Sequence, residues 1–248
     1  MAKSSYIRDW SPVPASRYRE AQQAERGYWS EKHRLDLSRS AGYWFHAGYK
    51  KWSKRRALLD PFRVRKFRPE NFQIPADEME GSRVLDVGCG PVSKALSLVH
   101  CATVSAVDPL LNVYREMQPF GWDYFETAAS VGAEELPFDD RSFDFVYCRN
   151  VLDHTRDADQ VLREIVRVMP AQGQLLLDCD SRYGRGGGPA HPYAWTTETL
   201  QARVFEQFDP VTPISVRTTV GAWDGRGQRP AQVVRQWVCR LRLKPPTV

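Results

Sequence analysis

The residues with the clearest chemical potential are two glycines, Gly88 and Gly90, and an acid 18 positions beyond the second, Asp108. Glycines at that spacing remove the side chains that keep a ligand off the backbone. An acid at the tip of the adjacent strand can accept hydrogen bonds from the two vicinal hydroxyls of a ribose. Asp86, Cys89 and Pro91 belong to the same turn. A second group is suited to proton chemistry: Asp153 and His154 in CRNVLDH, and His191 in SRYGRGGGPAHPYAWT. Carboxylate and imidazole groups can orient a nucleophile or take its proton. Plainer readings stand beside these, with Asp108 capping the next helix, Asp153 paired with Arg156, and His154 capping the helix that follows it.

Such side chains need a scaffold, and the apolar pattern supplies one. Val84, Leu85 and Val87 form a short run suited to a strand buried on both faces, which leads into the glycine turn. Lys94 to Val99 is then expected as a helix. Thr103 to Val107 reads as a second strand ending in Asp108, and Phe143 to Cys148 as a third, following an acidic turn. VLREIVRVMPAQGQLLLDCD predicts an amphipathic helix, a turn at Pro170 to Gly173, and a fourth strand over Leu175 to Cys179. Thr196, Thr197 and Glu198 open a helix expected to reach Gln207. Two last strands, Ile214 to Val220 and Gln232 to Leu243, flank a glycine-rich turn. The glycine turn matches neither phosphate fingerprint, since no G-x-x-x-x-G-K-[ST] occurs and Ser93 stands where G-x-G-x-x-G has its third glycine. A cofactor without phosphates is favoured over a dinucleotide.

From Val84 to about Asp180, the order LDVGCG, an acid closing strand two, and A-E-x-L-P-F resembles the class I S-adenosylmethionine-dependent methyltransferases of type 11. The resemblance implies an α/β fold: a Rossmann-like, seven-stranded, mostly parallel sheet with one antiparallel strand. It implies S-adenosylmethionine as cofactor, with Asp86, Gly88, Cys89, Gly90 and Pro91 at the methionine end and Asp108 at the ribose. Pro109, Leu110, Ala133 and Glu134 would flank the adenine, and Cys148 would close the pocket. Gly132 replaces the aspartate often found before A-E, which leaves the adenine amino group to backbone or to Glu134. Asp153, His154 and His191 would face the methyl acceptor, with Trp29, Trp44, Tyr183 and Tyr193 as aromatic walls. GCGPVS, VDPLLNVY, NVLDH and HPYAWT resemble members from bacterial polysaccharide and natural-product gene clusters. That implies biosynthetic methylation of an oxygen or nitrogen on a small-molecule or saccharide acceptor.

Residues 1–80 are expected to form an N-terminal helical cap over a cofactor-binding domain spanning 81–248. Ala15 to Leu37 has helical composition, with Tyr18, Ala21, Ala24, Glu25, Tyr28 and Trp29 recurring every three or four residues, and Ser38 to Leu59 reads as a second helix. Between Tyr49 and Arg68 nine basic residues face one acid, Asp60, whereas the whole chain carries only +5. This run fits an anionic small substrate or glycan, nucleic acid, an anionic membrane surface, or simply a solvated helix face. Two further functions therefore stand beside the first: a nucleic-acid methyltransferase, which lacks an N-P-P-[YF] tetrapeptide here, and a non-catalytic cofactor-binding scaffold. Among the 248 residues no apolar run nears the ~20 needed to span a membrane, and the N-terminus lacks a secretion signal, so a cytoplasmic location is expected. The five cysteines show no C-x-x-C pairing and read as buried reduced thiols, and no metal-ligand spacing stands out.

Overall fold

A computed structural model of the chain describes residues 7, 9–39, 73–75, 77–91, 93–99, 101–117, 122–182, 189–221 and 232–245. Eight strands make one sheet: β1 Arg83–Val87, β2 Thr103–Val107, β3 Ala128–Ala129, β4 Phe145–Arg149, β5 Gln174–Arg182, β6 Phe208–Pro210, β7 Ser215–Gly221 and β8 Gln232–Leu243. Their order is β3-β2-β1-β4-β5-β8-β6, with β7 also on β8. The first five run parallel, and β8 runs against β5, β6 and β7. Because β6 pairs with Leu241 to Leu243 and β7 with Gln232 to Val238, the two share one position in the sheet. Pro210 and Pro213 fall at the break, where a missing backbone donor cannot continue a ladder. Seven positions with one reversed strand are thus filled by eight segments.

Both faces of the sheet are covered, as the near-continuous apolar strands require. Leu85, Val87, Val146 and Cys148 pack on one face, and Val84, Phe145 and Tyr147 on the other. Four α-helices are described: α1 Ala15–Arg39, α2 Leu111–Met117, α3 Ala158–Val168 and α4 Thr197–Val204. In α3 the buried stripe Ala158, Val161, Leu162, Ile165 and Val168 follows the helical period, and Asp157 caps its start by accepting from the Gln160 amide at 2.9 Å. Thr196 caps α4 in the same way.

Two local expectations are corrected. Lys94 to Val99 forms a short 3-10 turn over Ala95–Leu98 instead of an α-helix. Ser93 is tied back to Asp86, and the Leu98 carbonyl accepts from the amides of Cys101 and Ala102, which ends the turn and leads the chain into β2 at Thr103. The two-residue β3 was not anticipated, since two alanines carry no periodicity. The core also extends upstream of residue 81: Ile74 and Met79 are buried, and Arg240 reaches across to the Gln73 carbonyl and the Glu78 carboxylate. The expected helix beyond Arg39, the basic run 49–68, Trp44, Tyr183 and the glycines 184–188 lie outside the described residues. No described helix is long and apolar enough to cross a membrane.

The start of the chain is laid along the HPYAW segment. Ile7 bridges Tyr193, its amide donating to the Pro192 carbonyl and its carbonyl accepting from the Ala194 amide, both at 3.0 Å. Trp195 donates from Nε1 to the Asp9 carbonyl and stacks on Trp10 with centroids 4.2 Å apart. The Tyr193 hydroxyl reaches the carbonyls of Ser11 at 3.0 Å and Arg156 at 3.1 Å. Tyr193 is only 1% exposed, so it is an anchor of this strap and not a substrate wall. Tyr193→Phe is expected to lower stability by about 1–2 kcal/mol, because two carbonyls lose a donor. Denaturant unfolding measures this, and an unchanged midpoint would show the strap to be held without the hydroxyl.

Candidate active site

The turn leaving β1 uses its two glycines differently. Both are left-handed, with φ of 65° at Gly88 and 63° at Gly90. A Cβ on Gly88 would lie 2.4 Å from a Val151 methyl, whereas at Gly90 it would meet nothing within 4 Å among the described residues. Gly88 is thus demanded by packing, and Gly90 opens the backbone to an approaching group. Gly88 and Cys89 both donate to the Val107 carbonyl, at 2.8 and 3.1 Å, which fixes the turn against the end of β2.

Asp108 follows at that end. Its Oδ2 accepts from the Gly90 amide at 3.0 Å and its Oδ1 from the Leu110 amide at 2.8 Å. One carboxylate therefore orients the glycine turn and caps the next segment, and each oxygen keeps acceptor capacity. Burial pushes its carboxyl up to about 6, although the two amides pull the other way. Asp86 is buried beneath the same turn, where burial pushes its carboxyl up to about 7 against the opposing hydrogen bond from Ser93. Ser93, where a third glycine was sought, thus serves as the donor to Asp86. Sequence reasoning passed over this role.

The expected adenine side is partly reassigned. Pro109 is exposed, Leu110 and Pro91 are half-buried, and Ala133 is buried. Glu134 spends one oxygen on the amides of Arg156 and Asp157, at 2.7 and 3.2 Å, and so fastens the entrance to α3. The side chains of Cys89 and Cys148 lie in the core clusters, so these residues offer only backbone to the edge. Tyr18 of α1 faces Glu134 and Asp108; burial, with those two carboxylates, pushes its phenol up.

Asp153, His154 and His191 come together at the carboxyl edge of β4 and β5. Asn150, with a left-handed φ of 51°, turns the chain out of β4 into the 3-10 turn Leu152–His154. Asp153 is 2% exposed, and its Oδ2 lies 2.7 Å from His191 Nδ1. It pairs with His191, not with Arg156. Its Oδ1 is 3.8 Å from His154 Nε2, and the two imidazole centroids stand 4.0 Å apart. From α1, Glu25 brings Oε2 to 3.5 Å from His154 Nδ1, while its Oε1 accepts from Trp29 Nε1 at 2.5 Å. Glu25 was not anticipated as a site residue, although its place beside Trp29 on one helical stripe was the available signal.

Residues 85–177 match the family model described as a methyltransferase domain. An uncharacterized methyltransferase, YcgJ of Bacillus subtilis, is 34% identical over 100 residues, which are 38% of this chain and 39% of the relative. A ubiquinone biosynthesis O-methyltransferase of Pseudomonas putida is 31% identical over 132 residues, 50% of this chain and 53% of that protein. The chain spans about half or less of the length of these relatives. The crystal structure of YcgJ superposes with a TM-score of 0.54 at 18% identity, covering 69% of this chain and 95% of that one. Residues 85–177 are thus similar in sequence to methyltransferase domains, and the sheet shares its fold with the YcgJ structure.

Proposed function

We propose that the protein is an S-adenosylmethionine-dependent methyltransferase acting on an oxygen or nitrogen of a small-molecule or saccharide acceptor, with α1 as part of a cap over the site. The observation that carries this reading is Asp108, buried at the tip of β2 and oriented by two backbone amides beside the open approach at Gly90. S-adenosylmethionine fits these residues. Asp108 can accept from both ribose hydroxyls, and Asp86 with the turn 88–91 supplies an acid and backbone groups for the amino-acid end. The buried acids suit a ligand whose ammonium and sulfonium are positive, and no phosphate-binding lysine accompanies the turn. When bound, the cofactor supplies an electrophilic methyl group.

The chain's own part is alignment and the acceptor's proton. Asp153, His154 and His191 are the groups proposed to orient the acceptor and receive that proton, Asp153 buried and both histidines half-buried. Trp29 and Glu25 of α1 close over it. The Pseudomonas relative is named an O-methyltransferase, which supports an oxygen acceptor. The basic segment 49–68 supports an acceptor bearing negative charge. Titration calorimetry with S-adenosylhomocysteine, repeated with NAD, tests the cofactor: binding of the former alone is expected, and binding of NAD alone would overturn the proposal. His191→Ala should leave that affinity unchanged and cut turnover about 10²-fold or more. A loss of cofactor affinity in this variant would remove His191 from the acceptor side.

A further inference from the structure

We infer that Asp153, His154 and His191 form a binding site for a divalent transition-metal ion of the zinc or cobalt class. The site lies at the acceptor end of the pocket proposed above and so rests on that reading only for its role, not for its existence. One ligand atom from each of the three residues lies within 4.8 Å of the others, so small side-chain shifts bring all three to the roughly 2.0–2.2 Å donor distances of a single ion. Two imidazoles and one carboxylate are the donor set that such ions take, with the remaining positions left for water or a substrate group. Hard magnesium or calcium would prefer an all-oxygen set.

Three features outside these residues favour an ion over a simple hydrogen-bonded cluster. First, Glu25 stands 3.5 Å from His154 Nδ1, on the opposite side of the ring from the Nε2 that faces Asp153. A carboxylate on the far nitrogen is the outer partner that sets the tautomer and tilt of a metal-bound histidine. Second, the two imidazole centroids lie 4.0 Å apart, so one ion can reach a ring nitrogen of each. Third, Asn150 Oδ1 is buried with no hydrogen-bond partner among the described residues, although its amide nitrogen is 3.4 Å from His154 Nε2. A buried carbonyl oxygen left over on a side chain that meets His154 is accounted for by a cation or its bound water. Asp153 and His191 stand 38 positions apart in sequence, and Glu25 comes from another element, so no ligand spacing announces the site.

The test uses the full chain after chelator treatment and dialysis, titrated with Co²⁺ and followed by visible d–d absorption, then with Zn²⁺ by calorimetry. A single saturating equivalent is expected, with Zn²⁺ displacing Co²⁺. His154→Ala and His191→Ala should each abolish the absorption, and Glu25→Gln should weaken binding about 10- to 100-fold. Cooperative thermal unfolding of each variant shows whether it is folded. If one histidine variant fails to fold, the other and Glu25→Gln still decide. No saturable uptake, or uptake unchanged in folded histidine variants, would overturn the site. An intense sulfur-to-cobalt charge-transfer band would do so as well, since it places the ion on cysteine. Uptake is read without cofactor, so a failure to bind S-adenosylhomocysteine leaves this result standing, and the reverse also holds.

Discussion

Asp108→Ala is expected to weaken S-adenosylhomocysteine binding by about 10²-fold or more, because each charge-assisted hydrogen bond to a ribose hydroxyl contributes about 1.5–3 kcal/mol. The Gly90 and Leu110 amides also lose their shared acceptor, which loosens the turn that meets the ligand. Calorimetry at neutral pH reads this directly, and an unchanged dissociation constant would remove Asp108 from the site. The same carboxylate makes stability depend on pH in a definite direction. Burial raises Asp108 to about 6 and Asp86 to about 7 in the folded chain, against an unfolded carboxyl of about 3.9. Between those values the folded state holds protons that the unfolded state has released, so the ligand-free protein loses stability as pH rises from about 4 to about 7. Asp108→Asn removes one titrating acid but leaves one of the two amides without an acceptor, so its unfolding midpoint should change less between about pH 5 and 7.5 than that of the unaltered protein, and it should still bind poorly. Ligand binding should show the opposite trend, weakening as pH falls below about 6 and the acids protonate. A ligand-free protein more stable at about pH 7 than at about pH 5 would contradict the buried-acid account.

Gly88→Ala and Gly90→Ala are expected to separate folding from binding. At Gly88 the new methyl carries a left-handed backbone and lies 2.4 Å from Val151, so strain of about 1–2 kcal/mol adds to overpacking of about 1–3 kcal/mol. The expected outcome is a destabilisation of about 2–5 kcal/mol, visible in denaturant unfolding and in soluble yield. At Gly90 only the backbone strain applies among the described residues, none of which has an atom within 4 Å of the added carbon. That variant should stay folded with a loss of about 1–2 kcal/mol, yet lose cofactor affinity about tenfold or more as the methyl enters the approach to the backbone. Equal stability losses in the two variants would show that Gly90 is closed by packing after all.

The sequence was most readable where a physical constraint is local. β2 keeps its expected bounds, Thr103–Val107, because a strand buried on both faces must be apolar throughout. β8 matches its expectation over Gln232–Leu243, where the run is long enough to show alternation. What stayed hidden depends on distant partners. Tyr193 reads as a loop aromatic until Ser11, 182 positions away, accepts its hydroxyl. Glu134 reads as a ligand contact until the chain returns at Arg156 and Asp157 with two unpaired amides. Glu25 reads as one more helix acid until α1 is laid against His154. The plainer expectation for Asp108, a cap, is met at the Leu110 amide, while its second oxygen is held by the Gly90 amide across the glycine turn.

The strap formed by residues 7–13 bears on how α1 can move. It is fastened at Pro192, Ala194, Trp195 and Arg156, immediately before α1 begins at Ala15. If Glu25 and Tyr18 lift from the site, the helix swings about a hinge near Pro14 instead of leaving the molecule. Return is then a unimolecular event with an effective local concentration in about the millimolar range or higher. If α1 caps the site as proposed, its reclosure over a loaded site is independent of how dilute the protein is, and most of the orientational search is completed once, when the chain folds.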